Sequence, residues 1–266
     1  MTPPRAVATD LDGTAVRSDH TVSERTVAAF GRVERAGAML VLVTGRPPRW
    51  MRPVADAVAH RGLAICANGA IVYDLHTEQV VDTRLIPVEA LRAAVERLGA
   101  ALPGLGFAVE HGEGLVFAEG FELSFWDSRT APEPTPIDEL VSRPAAKLLA
   151  RHPDLDADAL LAEAAKLVGD TVLPTHSNGN RLIEMSALGV SKASTLAELC
   201  ARHGIDAAEV VAFGDMPNDL PMLAWAGRSY AVANAHPDVL AAVDHKVAAN
   251  DDDGVARAIE ELFPDE

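Results

Sequence analysis

Short, wholly apolar runs that stop abruptly at polar loops constrain this chain more than any other feature. Met39 to Val43, Leu63 to Cys66 and Val210 to Phe213 read as such runs, and Arg5 to Thr9, apolar over residues 6–8, reads as a short buried strand. A strand exposed on one face alternates apolar with polar residues, whereas a strand buried on both faces is apolar throughout. Helical patterns separate the runs. Ser23 suits an N-cap, Val27, Phe30, Val33 and Ala36 follow at helical spacing, and Gly37 suits the stop. Pro47 suits the first turn of a helix reaching about His60. The same rhythm returns late, with helices over Ser191–His203, Leu220–Ala226, Pro237–Ala242 and Gly254–Phe263 and a strand over Ser229–Val232. Buried strands alternating with helices predict an α/β fold, a Rossmann-like parallel-sheet core covered by helices.

The middle of the chain has another pattern. An amphipathic helix over Pro87–Leu102 precedes two strands, Phe107–Glu110 and Leu115–Ala118, that can pair across a Gly-containing turn. After a proline-rich stretch come a strand over Lys147–Arg151, a helix over Asp156–Val168, and strands over Thr171–His176 and Arg181–Met185 around Asn178-Gly179. Helix, two strands, helix, two strands is an α+β pattern. The expected organisation is therefore a core of residues 1–82 and 189–266 with an inserted α+β cap domain at 83–188.

Composition narrows the partners. Lys plus Arg number 23 and Asp plus Glu 39, a net charge of −16. That surplus argues against nucleic acid and against anionic membranes, which both need a basic face. The two cysteines, Cys66 and Cys200, lie far apart and make no disulfide framework. Neither an apolar run of spanning length nor a signal peptide is visible, so a cytoplasmic protein is expected. Oligomeric state has no signature here.

Chemistry-bearing residues gather where the apolar runs end. In open parallel sheets ligands bind at the carboxyl ends of strands. Asp10-Leu11-Asp12-Gly13-Thr14 follows the first run, and its two aspartates leave the strand in roughly the same direction. Thr44-Gly45-Arg46 follows the second, offering a hydroxyl, a close backbone approach and a cationic fork. Phe213-Gly214-Asp215-Met216-Pro217-Asn218-Asp219 places two carboxylates and an amide at another strand end, a donor set for a hard divalent cation. Lys192 opens a helix, where its charge opposes the helix dipole. Taken singly, these segments also fit an Asp-Gly turn, an ordinary strand-end loop, a polar loop with an N-cap and a solvated lysine. Their shared placement makes them specific together.

With these motifs in place, the chain resembles the haloacid dehalogenase (HAD) superfamily, in particular its Cof-type, sugar-phosphatase-like branch with a large α/β cap. Asp10-Leu11-Asp12-Gly13-Thr14 matches the first family motif, Thr44 with Gly45-Arg46 the second, Lys192 the third, and Gly214-Asp215 with Asn218-Asp219 the fourth. Asn68-Gly69-Ala70 is similar to the turn preceding the cap, and Asn234-Ala235 and Asn250 to Val255 to the C-terminal signatures. Met216-Pro217 stands where a Gly-containing loop is frequent, and Ala15 where leucine is common, without loss of a functional group.

The resemblance implies a phosphatase that hydrolyses small phosphate monoesters, such as sugar phosphates or related metabolites, through an aspartyl-phosphate. Asp10 would be the nucleophile and Asp12 the general acid and base, with Thr44 and Lys192 on the phosphoryl group. Mg²⁺ would be held by Asp10, the backbone carbonyl of Asp12 and Asp215. Gly45, Asn218 and Asp219 would orient the phosphate or the site. Arg46, Asn68, Asn178 and Asn180 are candidate substrate contacts, the last two fitting hairpin-turn roles as well. A phosphotransferase such as a phosphohexomutase shares the fold and nucleophile, and a non-catalytic phosphometabolite-binding regulator is the remaining alternative. Asp12 argues against the regulator, since binding alone needs no acid.

Overall fold

The computed structural model describes residues 3–123, 133–176 and 181–264. The chain divides into two compact units, one of Met1–Arg46, Trp50–Val81 and Ser191–Glu266, the other of Pro47–Arg49 and Asp82–Val190.

The first unit contains β1 (Ala6–Asp10), α1 (Glu24–Arg35), β2 (Met39–Val43), α2 (Arg52–Ala57), β3 (Leu63–Cys66), β4 (Ile71–Asp74) and β5 (Gln79–Thr83). Its sheet has eight strands, the last residues of β5 lying where the chain passes into the second unit. The second unit contains α3 (Val88–Ala101), β6 (Gly106–Glu110), β7 (Leu115–Phe117), α4 (Ile137–Leu140), β8 (Lys147–Arg151), α5 (Ala157–Val168), β9 (Val172–Thr175) and β10 (Leu182–Ala187). The chain then completes the first unit with α6 (Lys192–Arg202), β11 (Val210–Gly214), α7 (Leu220–Trp225), β12 (Arg228–Val232), α8 (Pro237–Ala242), β13 (His245–Val247) and α9 (Gly254–Leu262).

The eight-stranded sheet runs β13-β12-β11-β1-β2-β3-β4-β5. From β13 to β3 every pairing is parallel, and β4 turns antiparallel to β3. β1 and its neighbour β11 lie inside the sheet, and every residue of both is buried, as strands covered on both faces must be. Helices α1 and α9 pack as one pair and α6 and α7 as another. Local signals set the helix ends: Ser23 accepts a hydrogen bond from the Thr26 amide at 3.0 Å, and Gly37 adopts φ +74° just beyond α1. The α/β expectation holds. The long helix expected from Pro47 is a 3₁₀ turn, Pro48–Trp50, followed by the short α2. A proline at 53 accommodates that break, since it lacks the amide that a continuous helix would use.

The second unit is antiparallel, in the order β7-β6-β8-β10-β9. One face of its sheet, carrying Phe107, Val109, Leu148, Ile183 and Met185, shares a core with Leu91 and Leu98 of α3 and Leu160 of α5. Ala108, Leu115, Phe117 and Phe121 form a smaller cluster. The Asn178-Gly179 turn lies outside the described residues.

Candidate active site

The carboxyl ends of β1, β2 and β11 assemble the site, because these strands are neighbours running the same way. Thr9 of β1 sits opposite Phe213 of β11, and Asp10 opposite Val43 of β2. The loops that leave the three strands therefore emerge side by side.

Asp10 is buried and accepts a hydrogen bond from Lys192 Nζ at 2.6 Å. Lys192 is the first residue of α6. Its cap is Ser191, whose hydroxyl accepts from the Ser194 amide while its own amide donates to the Ser194 hydroxyl. A lysine at that position works against the helix dipole, so its placement needs anionic partners. Two are present: Lys192 Nζ also donates to Asp219 Oδ1 at 2.6 Å. The other Asp219 oxygen accepts the backbone amides of Asp215 and Met216, both at 3.0 Å. Both of its oxygens thus face donors.

Asp215 accepts a hydrogen bond from the Thr14 hydroxyl at 2.8 Å. Gly13, in the same loop as Thr14, has φ +83°, and a Cβ there would collide with the Asp215 carboxylate. The missing side chain is what lets the two loops meet. A second layer steadies the first loop. Asn234 donates to the Gly13 carbonyl at 2.7 Å, and Asn250 donates to the Val16 carbonyl at 3.0 Å.

Carboxylate oxygens of Asp10, Asp215 and Asp219 lie within 4.8 Å of one another, all on buried residues. Three carboxylates against one ammonium leave a surplus of negative charge out of water. Burial, reinforced by Asp219 and Asp215 and opposed by Lys192, pushes the Asp10 carboxyl well above the usual range. Burial and then Asp219 push Asp215 up to about 6, against the Thr14 hydrogen bond and Lys192. For Lys192 burial disfavours the charge, but Asp10 and Asp219 outweigh it and hold its pKa above the ordinary value. Asp10 and Asp215 face each other inside this cluster, their carboxylate oxygens within 4.8 Å. A hard divalent cation takes such oxygens as ligands and offsets their charge, so the donor set fits one.

Thr44 is buried, and its hydroxyl oxygen accepts the Arg46 amide at 3.0 Å, leaving its proton to donate elsewhere. Gly45 is half-buried beside it. Asn68 adopts φ 56°, a conformation asparagine tolerates. Its side-chain oxygen accepts from Asn218 Nδ2 at 3.2 Å, and the Asn218 oxygen is buried without a partner among the described residues. Next to it, the Gly69 carbonyl accepts from Thr195 of α6 at 2.8 Å, tying this loop to the helix that carries Lys192. Arg46 grips Asp12 with both arms of its guanidinium, Nε at 2.7 Å from Oδ2 and Nη2 on Oδ1. Asp12 itself stands outside the three-carboxylate cluster, with its side chain half exposed. Asn178 and Asn180 lie outside the described residues. The contacts of Thr14, Asn234 and Asn250 have no signature in the sequence. Their side chains hydrogen-bond across separations of 201, 221 and 234 residues, and no local pattern reports such pairings.

A family profile described as haloacid dehalogenase-like hydrolase matches residues 7–259, and the chain belongs to that family. Pyridoxal phosphate phosphatase YbhA of Escherichia coli (strain K12) is 30% identical over 271 residues, covering 96% of this chain and 97% of that protein. The 5-amino-6-(5-phospho-D-ribitylamino)uracil phosphatase YitU of Bacillus subtilis (strain 168) is 26% identical over 278 residues, covering 98% of each. A solved haloacid dehalogenase-like hydrolase from Bacteroides thetaiotaomicron is 26% identical with a TM-score of 0.79, covering 98% of this chain and 100% of that one. The chain is an enzyme of this hydrolase family, and its relatives place it among the phosphatases. Among the described residues no helix is long and apolar enough to cross a membrane.

Proposed function

We propose that the chain is a Mg²⁺-dependent phosphatase of small phosphate monoesters that works through an aspartyl-phosphate on Asp10. The observation that carries this reading is the division of labour among the four aspartates. Asp219 has both oxygens committed to Lys192 and to backbone amides, so it orients. Asp215 leans on Thr14 and faces Asp10, which suits a metal ligand. Asp12 is held by Arg46 but half exposed and outside the cluster, so unlike the fully buried Asp219 it keeps the solvent access through which a proton can pass. Asp10, the last residue of β1, joins the carboxylate cluster to Lys192 at a strand end, and this suits a nucleophile.

Asp10, Asp215 and the Asp12 backbone carbonyl would hold the cation. When bound, it supplies the positive charge that lets a carboxylate approach a phosphate dianion. Asp10 attacks phosphorus, an Asp10–phosphorus bond forms, and the bond to the leaving oxygen breaks. Lys192 and the Thr44 hydroxyl stabilise the charge on the equatorial oxygens. Asp12 gives its proton to the leaving alkoxide, then takes one from the water that attacks phosphorus and releases Asp10. Gly45 and Asn218 line the phosphate region in this reading, and Asn68 positions Asn218 for it. The second unit acts as a cap that chooses the substrate, while the first unit performs the chemistry. Pyridoxal phosphate and 5-amino-6-(5-phospho-D-ribitylamino)uracil, for which the relatives YbhA and YitU are named, are both small phosphate monoesters, which supports that substrate class, and a phosphorylated sugar or related metabolite is the expected member.

The test is phosphate release from a panel of phosphorylated metabolites and from p-nitrophenyl phosphate, with no added acceptor, with Mg²⁺ and after chelation. Release should require the metal and vanish in Asp10→Asn, an isosteric change that cannot attack. Undiminished turnover by Asp10→Asn overturns the mechanism, and turnover only with an acceptor makes the chain a phosphotransferase.

A further inference from the structure

The sequence offers Arg46 as a candidate substrate contact, and in the structure its guanidinium holds Asp12. β1 and β2 run parallel with Asp10 opposite Val43, so the chain leaves the two strands side by side and brings Asp12 next to Arg46. The Arg46 backbone is held at both ends. Its amide donates to the Thr44 hydroxyl at 3.0 Å, and its carbonyl accepts the Ala67 amide at 2.9 Å. From this anchored backbone the side chain, only 17% exposed, reaches a carboxylate that is 50% exposed and takes both of its oxygens. A half-exposed aspartate without such a partner samples several rotamers, whereas a planar fork of donors fixes the plane of the carboxylate.

We propose that Arg46 is a positioning residue for Asp12: the fork holds the Asp12 carboxylate beside the Asp10 cluster in the orientation that proton transfer to the leaving group requires. The proposal rests on the phosphatase reading for the role of Asp12. A lysine at 46 keeps the charge but loses the two-point grip, because an ammonium is a single point of attachment. Arg46 thus acts through Asp12, and its importance should follow that of the proton.

A double-mutant cycle tests this directly. Single-turnover phosphorylation is measured with an alkyl phosphate and with p-nitrophenyl phosphate for wild type, Arg46→Ala, Arg46→Lys, Asp12→Asn and Arg46→Ala/Asp12→Asn. Misplacement of a reacting group by about 1 Å lowers rates by about 10²-fold, so Arg46→Ala should slow alkyl phosphorylation by roughly 10–100-fold. The aryl substrate, whose leaving group needs no proton, should lose several-fold less, and Arg46→Lys should recover part of the alkyl rate. KM should stay within about threefold of wild type, since no substrate contact is removed. In the Asp12→Asn background, Arg46→Ala should add less than about twofold, because coupled residues are not additive. Full multiplication of the two effects, or a raised KM with unchanged kcat, would instead make Arg46 a substrate contact and overturn the proposal. A second arm needs no turnover. The carboxylate ¹³C line of Asp12, identified by its loss in Asp12→Asn, should shift or broaden in Arg46→Ala, and an unmoved line overturns the pairing. A wild-type chain that releases no phosphate from any substrate sinks the phosphatase reading, and the spectroscopic arm still decides whether the fork holds Asp12.

Discussion

Two glycines with nearly the same backbone separate conformational strain from damage to the site. Gly13 has φ +83° and Gly37 has φ +74°, so alanine at either is forced into the left-handed region. That conformation costs an L-residue roughly 1–2 kcal/mol, which for a chain of this size lowers Tm by roughly 2–8 °C. At Gly37 none of the described residues lies within 4 Å of the added methyl, so strain is the whole effect. At Gly13 the methyl would also meet the Asp215 carboxylate, with Cγ at 3.2 Å and one oxygen closer still, and that group must move. Asp215 is held by Thr14 of the same loop, so the displacement spoils the facing of Asp215 and Asp10. Both variants should fold by circular dichroism, with Gly13→Ala losing at least as much thermal stability in chelator as Gly37→Ala. Calorimetric Mg²⁺ titration should then part them. Gly37→Ala should bind like wild type, and Gly13→Ala should be weaker by at least about tenfold, the loss that disturbed metal surroundings typically cause. Equal Mg²⁺ affinities in the two variants would refute the argument that Gly13 exists to admit Asp215.

Further outcomes can be measured alongside. Cys66 and Cys200 are buried and not disulfide-bonded, and burial pushes the Cys200 thiol up to about 11. Ellman's reagent should therefore find no reactive thiol in the native chain and two in guanidinium. Asp253 accepts two hydrogen bonds from Arg17 Nη2 at 2.9 Å. Burial raises its pKa, but hydrogen bonds from Ser23 and Arg17 outweigh that and leave it below the usual carboxylate range. A depressed pKa adds stability above the unfolded-state value and loses it as pH falls through the folded one. Asp253→Asn keeps the left-handed backbone at φ 58° and removes only the charge. It should lower stability by about 1 kcal/mol at pH 7, and its gap from wild type should close below about pH 4 in chemical denaturation.

The strands that build the site were readable because their signal is local. β2, β3 and β11 are buried on both faces along nearly all their length, and such burial writes itself as an unbroken apolar run, which β1 carries over residues 6–8. The loops at their ends, with Asp10, Asp12, Thr44 and Asp215, were readable for the same reason, since a polar motif stands out where such a run stops. β5 was not. Gln79 to Thr83 are mostly exposed, so an edge strand of this kind has no apolar pattern to find. β13, three residues with two exposed, is too short to carry one. The hairpin strand β4 also escaped, because its outer half is only partly buried and its apolar stretch resembles a continuation of the preceding turn.

By itself, then, the sequence determined which residue types stand at which strand ends, and with them the family resemblance. Only the tertiary structure decided which of these side chains meet. Lys192 reaches Asp10 across 182 residues of chain, and Asp219 spends both oxygens holding that lysine and its own loop. Arg46 turns to Asp12 because two parallel strands in register deliver their loops side by side. Apolar periodicity reports burial, which is a property of each segment. A hydrogen bond reports the direction of two side chains at once, and that is set by strand order and register, which no single segment contains.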